Sequence, residues 1–252
     1  VADLQPGMDR EEVITWRTDN TRAGIRKMVR KLLRRAPGEV RFCYEAGPNG
    51  YVLLRQISEF DRVSCVVVAP SKTPRRPGDR VKTDRRDAKK LVGLFRAGEL
   101  KSIVPPMEEE EAVRDLCRCR KAAQKRVTAS RHQVDKFLMR NGYVYRDGKN
   151  WTRRYREWLR SLKFDDWRRE RTFQAYLFGI EQDEDRVKRL DLEIVRAADE
   201  EPYRTLVGFV RCFRGLDTLS AMVLTSELYA IGRFTTAPSL MGFVGMVPSE
   251  DT

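Results

Sequence analysis

Lys82-Thr83-Asp84-Arg85-Arg86-Asp87-Ala88, continued by Lys89-Lys90-Leu91-Val92-Gly93-Leu94-Phe95, is the stretch on which the reading of this chain turns. Two carboxylates stand three residues apart at the mouth of a helix, and that spacing puts both on one face. Arg80, Lys82, Arg85, Arg86, Lys89 and Lys90 crowd round them. Two readings stay open at this point. In one, Asp84 is the N-cap and Asp87 the third helical residue, both favoured by the helix dipole. In the other, the acids hold hard Mg²⁺ ions and the cations hold a phosphate backbone, as a metal-dependent phosphodiester enzyme requires.

The residues before this stretch place it in a layered α/β unit. Val1 to Leu4 and Glu12 to Arg17 read as a strand hairpin, and Thr21 caps a helix whose apolar face is Ile25, Met28, Val29, Leu32 and Leu33. Val40-Arg41-Phe42-Cys43-Tyr44-Glu45 is a strand that runs into the turn Ala46 to Gly50. A helix over 51–59 follows, then the continuous apolar run Val63 to Ala69, the mark of a buried strand. This order predicts one mixed sheet with helices against it. Ligands in such sheets gather at the carboxyl ends of the strands, so Glu45, Asp84 and Asp87 converge on one edge. Taken alone, Glu45 is an ordinary strand-end carboxylate.

Composition narrows the partner. The net charge of +13 over 252 residues favours a polyanion, most simply nucleic acid. No apolar run reaches the roughly 18–20 residues of a membrane span. The five cysteines, an odd number in a large chain, indicate a reduced cytoplasmic protein. A single histidine, His132, argues against zinc and lacks a serine or cysteine context for base catalysis. The chain starts without an initiator Met and stops after a Val-Pro-Ser-Glu loop, so both ends read as cut.

After Pro105-Pro106 the pattern turns helical. Ala112, Leu116, Cys119, Ala123, Val127, Ser130, Val134 and Phe137 form a heptad-like seam over 108–141. Leu177, Ile180, Glu184, Val187, Asp191 and Ile194 form a second, with polar intrusions at Glu184 and Asp191. A shorter helix over 152–162 joins them, giving an antiparallel hairpin that another subunit could complete. Between Arg114 and Arg171 there are 19 Lys and Arg against 7 Asp and Glu, nearly the whole surplus of the chain. Tyr143, Tyr145, Trp151, Tyr155 and Trp158 are interleaved with these cations. Exposed, they would suit irregular RNA or single strands; buried, they are core. From Pro202, two helices flank a Gly215-containing turn of helix-hairpin-helix type, which would offer backbone N–H groups to phosphates. Ser249 reads as a turn serine with no base in reach.

Several stretches resemble one family. Tyr44 to Gly50, Val68 to Ser71, Pro77 to Ala88 and Arg96 to Leu100 are similar to the insertion-sequence 110 group of transposases, relatives of the Piv invertases. Phe213 to Leu216, Arg233-Phe234 and Leu240 to Glu250 resemble the start of that family's C-terminal domain. The resemblance implies a RuvC-like (RNase H-type) α/β domain over 1–106 with an Asp-Glu-Asp-Asp metal site. It implies a helical coiled-coil region over 107–200 and the start of an α-helical transposase domain over 201–252.

Glu45, Asp84 and Asp87 match the second, third and fourth acids as Mg²⁺ ligands and catalytic residues. The first acid would precede Val1, and the family's nucleophilic serine, in a Ser-Gly segment, would follow Thr252. Asp3 falls on the strand after the one that carries the family's first acid. The partners implied are donor and target DNA, a structured guide (bridge) RNA, and further copies of the chain, as a dimer or tetramer joined through the coiled coil. No membrane is implied, and the place is a bacterial or archaeal cytoplasm, at the nucleoid. Arg75, Arg76, Arg80, Lys82, Arg85, Arg86, Arg118, Lys121, Lys125, Arg131, Arg153 and Arg154 are the candidate nucleic-acid contacts. The leading expectation is an RNA-guided DNA transposase or recombinase. A metal-dependent junction-resolving nuclease and a non-catalytic nucleic-acid scaffold are the alternatives.

Overall fold

The computed structural model describes residues 1–5, 7, 12–70, 73–74 and 83–246, and the chain forms two compact units, Val1–Pro105 and Pro106–Thr252. In the first unit, β1 (Ala2–Asp3) pairs antiparallel with β2 (Ile14–Thr15), with Ala2 opposite Thr15. Helix α1 (Arg22–Arg35) begins at Thr21, whose Oγ1 accepts the Gly24 N–H at 3.1 Å. Its apolar face (Ile25, Met28, Val29 and Leu32) packs with Ile57 of α2 (Val52–Ser58) and with half-buried Phe42, Leu53 and Val63.

Strands β3 (Val40–Glu45) and β4 (Val63–Val68) pair in parallel, from Val40 opposite Val63 to Glu45 opposite Val68. Two parallel strands need a crossover, and α2 supplies it. The outer edge of β4 is closed: Ser102 bridges Val68, and the Ile103 N–H reaches the Val67 carbonyl at 2.8 Å. The free edge of β3 meets no strand among the described residues. The single mixed sheet expected from the sequence is therefore two separate two-stranded sheets. Between them lies a cleft of about 1090 Å³, lined by β1, β3, the apolar face of α1, and Leu91, Val92 and Phe95 of α3 (Asp84–Arg96). The sequence carries the right strands, but no described segment spans the gap between β1 and β3.

The second unit is built on two long helices, α4 (Glu108–Arg140) and α6 (Trp167–Ala198). They run antiparallel: Cys117 meets Ile194 and Ala198, Ala123 and Val127 meet Val187, and Val134 and Phe137 meet Phe173 and Ile180. At 1.5 Å per residue each is about 50 Å long. The polar intrusions have partners. Asp191 accepts from Arg120 Nε at 2.7 Å, and Glu184 accepts from Arg131 at 2.6 Å and from Arg156 at 2.7 and 3.1 Å. Arg156 belongs to α5 (Arg153–Ser161), so Glu184 ties three helices together.

The interleaved aromatics are core. Tyr155 is buried among Tyr145, Trp151 and Trp158, with ring centroids 5.0 to 5.3 Å away. Its hydroxyl donates to Asp135 at 2.7 Å, and the Trp151 indole N–H donates to the other oxygen of that carboxylate at 3.2 Å. Burial, then the neighbouring Asp135, push the Tyr155 phenol far above its ordinary pKa. Of the two readings open for these rings, the structure takes the core one: aromatic area so large is stabilised by burial against its neighbours.

Helices α7 (Tyr203–Arg211) and α8 (Thr218–Leu228) share a core with α4 and α6, through Tyr203, Val207, Ala221 and Met222 packed with Cys117 and Ile194. Residues after Glu201 are thus part of the same compact unit. In the turn between α7 and α8, Gly215 takes a φ of 90°, and Asp217 caps α8 by accepting the Ser220 N–H at 2.7 Å. Helix α9 (Ala237–Val244) follows.

Glu184 gives this unit a testable acid sensitivity. Burial opposes its charge, but hydrogen bonds from Arg156 and Arg131 outweigh that and hold its carboxyl below the usual range. A depressed carboxylate contributes stability that is present above the unfolded pKa and is lost as pH falls through the folded one. Glu184→Ala leaves two partly buried guanidinium groups without an acceptor and should cost about 2–3 kcal/mol at neutral pH in urea unfolding. The difference between variant and parent should shrink below about pH 4.5.

Candidate active site

The acids of the opening stretch are not caps. Thr83, with extended backbone (φ −132°, ψ 139°), is the N-cap of α3, and its Oγ1 accepts the Arg86 N–H at 3.3 Å. Asp84 is then the first helical residue, Arg86 the third and Asp87 the fourth, which corrects the assignment of Asp84 as N-cap and Asp87 as third residue. The short β-branched hydroxyl one residue upstream takes the capping role, so both carboxylates remain uncommitted. They share a face of α3, Asp84 exposed and Asp87 half-buried, and both line the cleft.

Glu45 ends β3, opposite Val68, and the Ala46 N–H donates to the Val68 carbonyl at 2.8 Å. The chain then turns sharply. The Gly50 N–H reaches the Gly47 carbonyl at 3.1 Å, and the Tyr44 hydroxyl donates to the Gly50 carbonyl at 3.1 Å. Gly50 has a φ of 56°, a left-handed conformation that favours glycine. Glu45 is exposed and lines the same cleft as Asp84 and Asp87. Asp3 of β1 lines it too and accepts a hydrogen bond from Gln5 at 3.3 Å. The resemblance puts Asp3 one strand after the family's first acid and gives it no role.

The carboxylates of Glu45, Asp84 and Asp87 have no hydrogen-bond or ion-pair partner among the described residues. Nor do they converge on a point: no three of the described His, Cys, Asp and Glu side chains stand close enough to hold one ion. The donor set is oxygen only, which fits a hard cation such as Mg²⁺. Thiolate ligation does not fit. Burial pushes the Cys43 and Cys65 thiols up to about 12, Cys43 further through the neighbouring Cys65. His132 is exposed on α4.

The cations fall into three groups. Arg75, Arg76, Arg80 and Lys82 lie outside the described residues, as does Ser249. Arg118 is paired with both oxygens of Glu227 at 2.8 Å, and Arg131 is held by Glu184 and stacked 5.2 Å over the Trp151 ring. Arg85, Arg86, Lys121, Lys125 and Arg154 are exposed, and so is Arg153, despite its i,i+4 pair with Glu157. No helix among the described residues is long and apolar enough to cross a membrane.

Residues 7–141 match the transposase family of the DEDD, insertion-sequence 110 type. The y4qE protein of Sinorhizobium fredii (strain NBRC 101917 / NGR234), whose name assigns it to the transposases, is 38% identical over 240 residues, 95% of this chain and 58% of its own length. The transposase for insertion sequence element IS1533 of Leptospira borgpetersenii is 38% identical over 206 residues, 81% of this chain and 59% of its own. The chain thus spans less than two thirds of the length of these curated relatives.

Capping and chemistry can be separated at this helix mouth. Thr83→Ala removes the side chain that satisfies the Arg86 N–H and should destabilise the protein by about 1 kcal/mol in thermal or urea melts. Asp84→Asn, which deletes no observed partner, should leave the melt within about 0.5 kcal/mol of the parent.

Proposed function

We propose that this chain, which belongs to the DEDD transposases of the insertion-sequence 110 family, contributes the carboxylates of a Mg²⁺ site at which donor and target DNA are cut and rejoined. One observation carries this reading. Glu45, Asp84 and Asp87, from two separate elements, line one cleft with their carboxylates unpartnered among the described residues. Acids kept bare beside a basic helix mouth serve a cation better than they serve the fold.

The arrangement around them supports a RuvC-like domain. Parallel strands joined through α2, with acids at the strand end and at the start of the next helix, put the site at the carboxyl edge. The open edge of β3 and the cleft beside it have room for a further strand, and an acid on such a strand would complete a set of four. Bound Mg²⁺ would neutralise charge on the scissile phosphate. The chain's own part is to offer Glu45, Asp84 and Asp87 as oxygen donors along the cleft and to hold the DNA backbone with Arg85, Arg86 and the cations over 75–82. In this reading the covalent link to DNA is the work of a serine such as that of the family's Ser-Gly segment. The exposed cations of α4 and α5 are suited to a structured guide RNA, and the paired long helices to assembly with further copies.

Asp84→Asn and Asp87→Asn in the full-length protein should each lower Mg²⁺-dependent strand transfer by about 100-fold or more while nucleic-acid binding persists. Transfer at the parent rate in both variants would sink the assignment. Mg²⁺-dependent cleavage without rejoining by the parent protein, lost in both variants, would point instead to a junction-resolving nuclease.

A further inference from the structure

We infer that α1 carries a nucleic-acid contact of its own: a ridge of arginines that binds a phosphate backbone on the helix face opposite the cleft. The inference rests on the reading of the chain as a nucleic-acid enzyme, but not on the acidic site.

The 14 residues of α1 include seven cations and no acid. Arg22, Arg26, Arg30 and Arg34 recur every fourth residue, one above another on a single face. Each step rises about 6 Å, close to twice the roughly 3.4 Å axial spacing of phosphates along one strand. Together with Ala23 and Lys27 they line a surface trough of about 500 Å³ to which no other described residue contributes. Ala23 keeps it open, because a longer side chain there would fill it.

Like charges stacked at i,i+4 repel, and within the fold that repulsion is relieved at one end only. Glu59 accepts from Arg22 at 2.8 Å and from Arg26 at 3.3 Å. Lys27, Arg30 and Arg34 meet no carboxylate among the described residues. A phosphate backbone would supply the missing anions at matching intervals, and guanidinium groups bind phosphate in a bidentate fork. An anionic lipid surface fits less well. A helix that lies in a membrane interface offers it an apolar face, and that face of α1 is buried in the core.

Binding of fluorescent duplex DNA and of a hairpin RNA to the full-length protein, measured by anisotropy across a salt series, tests this. Arg30→Gln/Arg34→Gln should weaken binding to at least one of them. The log–log salt slope should become shallower by about 1.8 for duplex DNA, or by about 1.4 where the RNA is engaged as a single strand. The responding probe identifies the strand that the ridge holds. Arg30→Lys/Arg34→Lys should restore the slope. Strand transfer, read on Asp84→Asn, and the salt slope, read on the arginine variants, are separate measurements, so failure of the ridge and failure of the acidic site give separate signatures. In the unmodified protein, the same nucleic acid should protect Lys27 from acetylation, a readout that needs no variant to fold. Unchanged affinity and slope for both probes with Lys27 unprotected, or an effect confined to phosphatidylserine vesicles, would overturn the inference.

Discussion

The parallel pairing of β3 with β4 is the constraint on which the first unit depends. Its register, Val40 with Val63 through Glu45 with Val68, fixes where Glu45 leaves the strand. Because the strands are parallel, the chain must cross from one end of the pair to the other, and α2 makes that crossing while burying Ile57 against α1. The opposite edge of β4 is already taken by Ser102 and Ile103. The edge of β3 away from β4 pairs with no strand among the described residues and faces the cleft that the acids line. A slip of one residue would turn every side chain of β3 to the other face and carry Glu45 away from Asp84 and Asp87.

The second unit obeys a different rule. Two long helices with a narrow apolar seam can slide, and apolar contacts alone define their register weakly. Here the polar positions of the seam set it. Arg120 meets Asp191 near one end, and further along Ser130 donates to Asp183 at 2.7 Å while Arg131 meets Glu184, so the contacts advance along α4 as they retreat along α6. Ion pairs in such places add little net stability against an apolar alternative, but breaking one partner leaves a charge stranded, so misregistered pairings are costly. The carboxylates at this interface are consumed by the fold, in contrast to Glu45, Asp84 and Asp87 of the first unit.

What the sequence revealed follows the range of the signals it carries. Local signals read well. Thr21 caps α1, the β-branched runs became β3 and β4, and α4 stops where the chain reaches Gly142. Signals that depend on a distant partner did not read. Strand order within a sheet is not written in any one strand, and the hairpin of β1 and β2 gives no sign that it stands apart from β3. The seam of α4 is as expected from Ala123 onward, but near its start Arg114 and Cys117 are buried where Ala112 and Cys119 were expected. There α4 packs on α7 and α8 as well as on α6, so the buried face is set by a contact the heptad pattern cannot anticipate. The aromatics beside α5 were ambiguous for the same reason: only Asp135, reached through the fold, shows that Trp151 and Tyr155 point inward. At the candidate site the residue types were legible, while Thr83 as the true cap was hidden behind two acids that cap equally well on propensity.

That last detail bears on why the acids can remain bare. A buried carboxylate without a partner would be expensive, but Asp84 is exposed and Asp87 only half-buried. Both also sit in the first turn of α3, where the free N–H groups and the helix dipole favour negative charge. With Thr83 taking the capping hydrogen bond, that field acts on the two carboxylates without fixing their oxygens. They keep their lone pairs for a ligand. Had Asp84 been the cap, one of its oxygens would be engaged by the backbone, and a cation arriving at the cleft would compete with the helix itself. Moving the cap by one residue removes that competition: the helix keeps its start whether or not a ligand is present, and the acids can respond to charge in the cleft without unravelling the element that presents them.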